Sequence, residues 1–169
     1  MARVTLLLGG NQGDVKHTLQ AAQQMINARV GAVLRCSHRY ESEAWGFTAP
    51  ERFSNQALEV STDLSPHAVL DACQDIERAL GRNRAAEAIA KASSGMAYTS
   101  RPIDIDVIFY DDLVLDDERL TIPHPLLAER AFALTPLNEI MRQHRHPVTG
   151  ATVGEMLEAL RNNRPERPE

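Results

Sequence analysis

Cysteine and long apolar runs are both scarce in this sequence. Only Cys36 and Cys73 occur among the 169 residues, and their spacing is not that of metal ligands. Each lies in an apolar pattern, which favours two small core thiols in a reducing compartment. No run approaches the roughly 20 apolar residues of a membrane span, and Leu6–Leu8 is followed at once by glycines rather than by a signal-length segment. We therefore expect a cytoplasmic protein without a membrane partner.

An excess of positive charge is also missing. The net charge is −5, so the average field does not favour nucleic acid as a partner. With 43% hydrophobic and 24% charged residues, the composition is that of a globular protein. A chain of this length can bury a hydrophobic core. We expect a single domain over residues 1–160, a disordered polar tail over 161–169, and a monomer.

The apolar patterning predicts an α+β fold. Strands are predicted over residues 2–8, 31–41, 53–62 and 102–110, with a helix beginning at Asp14 and another at Ser65-Pro66 that ends at Gly81. The order strand, helix, strand, strand, helix, strand is typical of a ferredoxin-like βαββαβ sandwich, with a mostly antiparallel sheet and helices on one face. A hairpin around Asp116-Asp117 and short helices near 125–130, 136–142 and 153–160 are predicted as C-terminal additions.

Two carboxylates stand out on the strand over residues 102–110. Because strand side chains alternate, Asp104 and Asp106 point to the same side, while Ile103, Ile105, Val107 and Phe109 would face the core. Paired carboxylates repel each other, and a magnesium ion would relieve that repulsion while keeping water and phosphate oxygens as further ligands. The alternative is an ordinary solvated strand face.

A cationic segment leads into this strand, and Glu87 is its only acid. Arginines beside a magnesium pair suit a nucleoside triphosphate, although exposed arginines in a solvated loop remain an alternative. The basic residues are Arg78, Arg82, Arg84, Lys91 and Arg101.

The sequence lacks a P-loop lysine motif, and aromatic residues make up only 5% of it. The short turn after Leu8 could contact a ligand through Asn11 or could serve as a simple connector.

Trp45, Phe53 and Phe132 with the Asn55 amide suit a flat heterocycle, or else the rings pack in the core. His124 between two prolines could meet a phosphate or be structural.

Taken together, eight segments in order resemble the 6-hydroxymethyl-7,8-dihydropterin pyrophosphokinase family of folate biosynthesis. They extend from residue 4 to about residue 160, and the run from Arg101 to Asp106 with the Pro-His-Pro turn is the most specific. The segments are Leu8-Gly9-Gly10-Asn11-Gln12-Gly13-Asp14, Tyr40-Glu41-Ser42 with Trp45-Gly46, Phe53-Ser54-Asn55, Gln74 with Glu77, Gly81-Arg82-Asn83-Arg84, Arg101-Pro102-Ile103-Asp104-Ile105-Asp106, Ile122-Pro123-His124-Pro125 and Arg130-Ala131-Phe132.

The resemblance implies that the chain transfers pyrophosphate from ATP to the pterin hydroxymethyl group and releases AMP, with ATP and the pterin as small-molecule partners. It implies that Asp104 and Asp106 hold two Mg²⁺ ions and that Arg82 and Arg101 act on the phosphates. It implies ATP contacts from Gln74, Glu77, Arg84, Ile105, His124 and Arg130. It implies a pterin pocket formed by Asn11, Ser42, Glu43, Trp45, Phe53, Asn55 and Phe132.

The chain departs from the family pattern just before Arg101. Tyr98-Thr99-Ser100 stands where members commonly carry Trp-Gly-Pro, and residues 85–95 are longer than usual and rich in Ala and Ser, which predicts a mobile loop. Two other classes stay open from the residues alone. One is a ferredoxin-like binding module without turnover, and the other is a magnesium-dependent phosphatase or nuclease using the same Asp pair.

Overall fold

A computed structural model describes residues 1–42, 53–94 and 101–162. The strands are β1 (Ala2–Gly10), β2 (Gly31–Cys36), β3 (Tyr40–Ser42), β4 (Phe53–Thr62), β5 (Asp104–Tyr110), β6 (Leu115–Asp116) and β7 (Thr121–Ile122). The helices are α1 (Val15–Arg29), α2 (Pro66–Ala79), α3 (Arg84–Ser94), α4 (Ala131–Met141) and α5 (Val153–Asn162), with a 3-10 turn at Leu127–Glu129. Within these ranges no helix has the length and apolar character that a membrane crossing requires.

The first two helices begin where their capping residues predict. The Asp14 side chain accepts a hydrogen bond from the amide of His17 at 3.3 Å, and Ser65 accepts one from the amide of Ala68 at 3.2 Å. Each bond satisfies an amide that has no partner within its own helix. Both caps therefore confirm helix starts that were predicted from sequence.

The main sheet has the order β2-β4-β1-β5, with β3 beside β4, and the paired strands are antiparallel. The predicted strand over residues 31–41 is split into β2 and β3. In the central strand β1, Gly9 lies opposite Asn55 of β4 on one side and opposite Asp104 of β5 on the other. This register brings Asn55 and the carboxylate strand to the same end of the sheet.

Helices cover both faces of the sheet, so the prediction of helices on one face was wrong. One core contains β1 residues such as Leu6 and Leu8 together with the apolar faces of α1 and α2. The other contains Leu7, Ala57 and the apolar faces of α4 and α5. The C-terminal helices are thus a second layer, because the opposite face of the sheet also carries apolar side chains that must be buried.

A bulge in β5 reverses part of the predicted side-chain alternation. Thr5 pairs with Phe109 but the next residue, Leu6, pairs with Val107, so Ile108 is an extra residue on β5. Ile105 and Val107 lie in the first core as predicted, whereas Phe109 lies in the second core with Ile108. The prediction that Phe109 shares a face with Ile105 was therefore wrong.

Four further expectations are corrected. Residues 85–94 belong to α3 instead of a loop, because alanine-rich sequence has high helix propensity. The helix predicted to begin at Pro136 begins at Ala131, with the proline inside it. Cys36 is exposed and only Cys73 is a core thiol. The first two residues of the predicted tail, 161 and 162, end α5, and the remainder of that tail lies outside the described residues.

Candidate functional site

A cavity opens at the end of the sheet where β1, β4 and β5 meet. It combines two carboxylates and two arginines with two phenylalanine rings, an amide and a hydroxyl. Eight of the predicted site residues are thus brought together in one place. Its described lining consists of Leu7, Gly9, Ser42, Phe53, Asn55, Arg101, Asp104, Asp106, Arg130 and Phe132.

The carboxylates of Asp104 and Asp106 share one face, as the strand alternation predicts. Asp106 lies opposite Leu7 and Asp104 lies opposite Gly9 in the β1–β5 ladder, and both acids are half-buried at the cavity. Asp104 accepts hydrogen bonds from Arg82 Nη1 at 2.9 Å and from Arg101 Nη2 at 3.4 Å. The paired-carboxylate geometry that the sequence predicted is confirmed.

The two carboxylates have opposite electrostatic environments. Burial raises the pKa of Asp104, but Arg101 and Arg82 outweigh it and hold that pKa below its ordinary value. Burial and then the charge of Asp104 raise the pKa of Asp106 to about 8. A second negative charge at Asp106 is therefore unfavourable unless a cation joins the pair.

The donor set at the carboxylate pair fits a hard divalent cation. Across residues 1–42, 53–94 and 101–162 no group of three or more His, Cys, Asp or Glu side chains could hold a metal ion. A cation at Asp104 and Asp106 would thus take its other ligands from water or from a bound molecule. Magnesium binds proteins in this way, through one or two carboxylates plus water and phosphate oxygens.

Two arginines flank the carboxylates at the cavity wall. Arg101 and Arg130 are 9% and 8% exposed, and their guanidinium carbons lie 5.3 Å and 5.5 Å from the ring centres of Phe53 and Phe132. An aromatic face attracts a guanidinium group at such distances. Each of the two phenylalanine rings in the cavity wall is therefore in contact with an arginine.

Arg82 lies beside the cavity and is surrounded by acids. Its Nη1 donates to Glu77 at 2.9 Å as well as to Asp104, and its Nε and Nη2 donate to Glu87 of α3 at 3.0 Å and 2.9 Å. The side chain is 7% exposed. The basic segment was predicted to offer this arginine to phosphates, but its donors are engaged by three carboxylates.

Glu77 is the centre of that ion-pair network. Its carboxylate accepts from Arg82, from Arg84 Nη2 at 2.6 Å and from the backbone amide of Ile105 at 2.8 Å. The side chain is 1% exposed and is absent from the described cavity lining. The sequence named Glu77 but gave no sign of this role, because α2 and β5 are distant in the chain.

The uncharged end of the cavity is formed by β1, β3 and β4. Asn55 donates from Nδ2 to Ser42 Oγ at 2.9 Å, which fixes the amide orientation, and the Phe53 ring lies two residues before it on the same strand. A Cβ atom added at Gly9 would lie 3.0 Å from Asn55 Oδ1. Leu7 and Gly9 were missed as site residues, although their alternate spacing on β1 could have indicated them.

Asn11 lies in the turn after β1, next to the chain that enters β5. It is buried, and its side-chain Oδ1 accepts from the backbone amide of Arg101 at 2.9 Å. The backbone amide of Asn11 donates in turn to the Arg101 carbonyl at 3.0 Å. These two bonds join the turn after β1 to the chain that enters β5. Asn11 is not among the described cavity-lining residues, and these two hydrogen bonds position Arg101.

Two other predicted ATP contacts, Gln74 and His124, are not among the described cavity-lining residues. Gln74 is half-buried on α2, and His124 is half-buried after the β6–β7 hairpin. Burial and the nearby Arg130 lower the pKa of His124 to about 4, so the imidazole is neutral at pH 7. Its Nδ1 accepts from the amide of Leu126 at 3.4 Å, which leaves Nε2 as the protonated nitrogen.

Three predicted residues lie outside the described ranges. They are Glu43 and Trp45, which were predicted for the pterin pocket, and Tyr98, which stands in the segment that departs from the family pattern.

The sheet and its cavity define a class, namely an α+β protein with a cleft. One end of this cleft has aromatic rings and a side-chain amide, and the other end has carboxylates and arginines. Comparison with known proteins narrows this class. The family described as 7,8-dihydro-6-hydroxymethylpterin-pyrophosphokinase matches residues 5–142. The chain belongs to this family.

Two curated relatives share most of their length with this chain. The 2-amino-4-hydroxy-6-hydroxymethyldihydropteridine pyrophosphokinase of Porphyromonas gingivalis is 38% identical over 141 residues, covering 83% of this chain and 91% of its own. The protein of the same name from Methylorubrum extorquens is 38% identical over 170 residues and covers all of both chains. The family resemblance drawn from the sequence is thereby confirmed.

The fold is similar to that of a solved Plasmodium falciparum HPPK-DHPS structure with pteroate. The TM-score is 0.74 at 14% identity, and the match covers 94% of this chain and 44% of the other. This chain therefore spans less than half the length of that protein, and the likeness concerns the fold alone.

Proposed function

We propose that this chain transfers pyrophosphate from ATP to the hydroxymethyl group of 6-hydroxymethyl-7,8-dihydropterin, with release of AMP, as a step of folate biosynthesis. The observation that carries the proposal is the cleft that Phe53 and Asn55 share with Asp104, Asp106 and Arg101. Such a cleft brings a flat heterocycle and a polyphosphate into contact. Membership of the pyrophosphokinase family supports the same reaction.

The pterin is assigned to the uncharged end. A flat ring would lie between the rings of Phe53 and Phe132, and its edge would bond the amide of Asn55 and the hydroxyl of Ser42. The narrow clearance at Gly9 supports this assignment, since a side chain there would crowd Asn55. Glu43 and Trp45 remain predicted members of this pocket.

The polyphosphate is assigned to the charged end. Arg101 and Arg130 would bond the phosphate oxygens, and Arg82 would join them if a phosphate replaced one of its carboxylate partners. Gln74, Arg84, Ile105 and neutral His124 are the proposed contacts to the remainder of ATP. His124 would donate from Nε2, because its Nδ1 already accepts from the backbone.

The proposed chemistry is a direct displacement at phosphorus. The pterin hydroxymethyl oxygen releases its proton to solvent and forms a bond to the β-phosphorus of ATP, and the bond from that phosphorus to the oxygen bridging to the α-phosphorus breaks, so that AMP leaves. Holding the reacting atoms in line and stabilising the redistributed charge account for most of the catalysis expected. Arg101 and Arg130 supply that charge from buried positions, where it is screened least.

Dependence on magnesium, with two ions, is part of the proposal. Asp104 and Asp106 would hold them, and the raised pKa of Asp106, caused by burial and by the charge of Asp104, supports a cation at the pair. Bound magnesium would neutralise charge on the phosphates and lower the pKa of the attacking hydroxyl.

The more specific structural expectations are proposed on the same basis. The strand order β2-β4-β1-β5, with helices α1 and α2 packed on one face, supports the ferredoxin-like description. A single domain over residues 1–160, a monomeric state and a cytoplasmic location remain predictions from the sequence.

The released nucleotide distinguishes this function from its alternatives. The protein is incubated with ATP, Mg²⁺ and 6-hydroxymethyl-7,8-dihydropterin, and the products are identified by ³¹P NMR and chromatography. We expect AMP and pterin pyrophosphate in equal amounts. ADP would indicate a simple kinase, phosphate release without the pterin a phosphatase, and no turnover a binding module.

A further inference from the structure

The carboxylate of Glu77 joins two arginines to the backbone of the metal-binding strand. One oxygen, Oε2, accepts from Arg82 Nη1 at 2.9 Å and from the amide of Ile105 at 2.8 Å. The other, Oε1, accepts from Arg84 Nη2 at 2.6 Å. With 1% of the side chain exposed, these contacts replace the water that a carboxylate otherwise binds.

The backbone contact lies between the two acids of β5. Ile105 stands between Asp104 and Asp106, and β5 is the last strand in the order of the described sheet. The Ile105 amide donates to Glu77, so a helix side chain supplies a bond that no further strand provides there. The peptide that separates the two acids is therefore held by α2.

The same carboxylate also determines where Arg82 lies. Arg82 Nη1 donates to both Glu77 and Asp104, each at 2.9 Å. Glu77 thus acts on Asp104 twice, through the strand backbone and through the arginine that neutralises it. The family resemblance implied that Glu77 contacts ATP, but both of its oxygens face protein donors instead.

We propose that Glu77 is a positioning residue that holds Asp104 and Asp106 in the orientation needed for the cation-bound polyphosphate. The proposal rests on the proposed function, since it assigns a role within that reaction. Two like charges on an edge strand push apart unless the backbone and the countercharge are both fixed. A misplacement of about 1 Å at reacting groups can cost a factor of about 10² in rate.

Glu87 provides the matched control. It contacts the same arginine through a bidentate pair at 3.0 Å and 2.9 Å, but it stands on α3, and within the described residues no hydrogen bond or ion pair joins it to β5. Replacing either glutamate removes one acid from Arg82. Glu77→Gln also replaces one of the two oxygens that accept from Arg82, Arg84 and the Ile105 amide with an NH₂ group, so that a donor meets a donor on one side of the side chain.

The kinetic test compares Glu77→Gln with Glu87→Gln at saturating Mg²⁺. We expect kcat to fall by about 100-fold or more in Glu77→Gln, with the KM for ATP within about threefold of wild type. Glu87→Gln is expected to lose less than about tenfold in kcat. A raised KM for ATP with an unchanged kcat in Glu77→Gln would mean that Glu77 binds the nucleotide, which would overturn the proposal.

The second test needs no turnover. In ¹⁵N NMR spectra of the ligand-free protein, the Ile105 amide should shift and exchange its hydrogen at least about tenfold faster in Glu77→Gln than in wild type or Glu87→Gln. Unchanged exchange at Ile105 would overturn the proposal even if kcat fell. Because this measurement uses no substrate, it separates failure of the positioning role from failure of the proposed reaction.

A folding control completes the design, since Glu77 is buried between two arginines. Thermal unfolding of both variants is measured first. If Glu77→Gln does not fold, Glu77→Asp retains the charge on a shorter stem, and we expect a smaller kcat loss with an unchanged KM for ATP. A rise in KM for ATP in Glu77→Asp, with kcat unchanged, would contradict the positioning role.

Discussion

The two ends of the cleft differ in how completely their polar groups are satisfied before any ligand binds. At the uncharged end, Asn55 and Ser42 bond each other, and the nearby rings belong to regular strands and helices. At the charged end, Asp104 is neutralised by Arg82 and Arg101, whereas the pKa of Asp106 is raised to about 8 by burial and by Asp104. At the uncharged end Asn55 and Ser42 are hydrogen-bonded to each other, whereas at the charged end ionised Asp106 would be an unfavourable second negative charge.

This difference indicates where binding energy and rate originate. A preformed uncharged pocket selects a ligand by shape and hydrogen bonds at little cost in reorganisation. An end with unbalanced carboxylates gains most when a cation and a polyphosphate arrive together. We therefore expect changes at the uncharged end to affect pterin binding, and changes at the charged end to affect turnover.

The largest effect is expected from Asp106→Asn. Loss of a carboxylate from the proposed cation site should lower kcat by at least about 10³-fold, which corresponds to about 4 kcal/mol of activation free energy. Metal ions stabilise the transition state of phosphoryl transfer by several kcal/mol, so a loss of this size is expected. Steady-state assays with saturating Mg²⁺ measure this. Asp112→Asn, an exposed acid just after β5, is the matched control and should retain wild-type rates. Equal rates in Asp106→Asn would remove the proposed cation site.

The second effect is on pH. With a pKa raised to about 8, the Asp106 carboxyl is mostly protonated at pH 6 to 7, and a cation must displace that proton. Apparent Mg²⁺ affinity should thus rise with pH by up to about tenfold per unit until about pH 8 and then level off. Calorimetric titrations of Mg²⁺ with a non-reacting ATP analogue, across this pH range, test the expectation. A flat profile would contradict the charge imbalance.

The third effect separates the two substrates. Phe53→Ala should raise the KM for the pterin by about 5- to 150-fold, the range expected when a stacked ring is lost at about 1–3 kcal/mol per heterocycle. The KM for ATP in the same variant serves as the internal control and should change far less. Equal losses for both substrates would show that the two ends of the cleft are not separate binding regions.

The smallest effect is on stability. An acid whose pKa is raised by folding lowers stability as pH rises from its unfolded value, near 4, toward its folded value, about 8. Asp106→Asn should therefore be more stable than wild type at pH 7 without Mg²⁺, by about 1–4 kcal/mol, or about 2–4 °C in Tm for each kcal/mol. The gain should vanish below about pH 4. Lower stability at pH 7 would indicate that the carboxylate is not under strain.

Local sequence features predicted much of the fold. Caps at Asp14 and Ser65 define helix starts, and alternation on β5 places Asp104 and Asp106 on one face. The bulge at Ile108 could not be predicted in the same way, because an extra residue on one strand depends on its pairing with another. The second helical layer escaped prediction for the same reason, since it depends on which sheet face is left uncovered.

The site followed the same division. Residue types and the family resemblance indicated eight of the residues that line the cleft. The role of Glu77 was not visible, because its partners Ile105 and Arg82 meet it only after α2 packs beside β5. The bonds between Asn11 and Arg101 likewise join positions 90 residues apart. Contacts of this kind come from tertiary packing and leave no periodic signal in the chain.

The central claim is that Asp104 and Asp106 bind the cations that carry the polyphosphate. Electron paramagnetic resonance titration of Mn²⁺, in the presence of α,β-methylene ATP, counts bound ions in wild type and in Asp106→Asn. The account predicts two ions per chain in wild type and a loss of at least one in the variant. Equal numbers and equal affinities in the two proteins would contradict it.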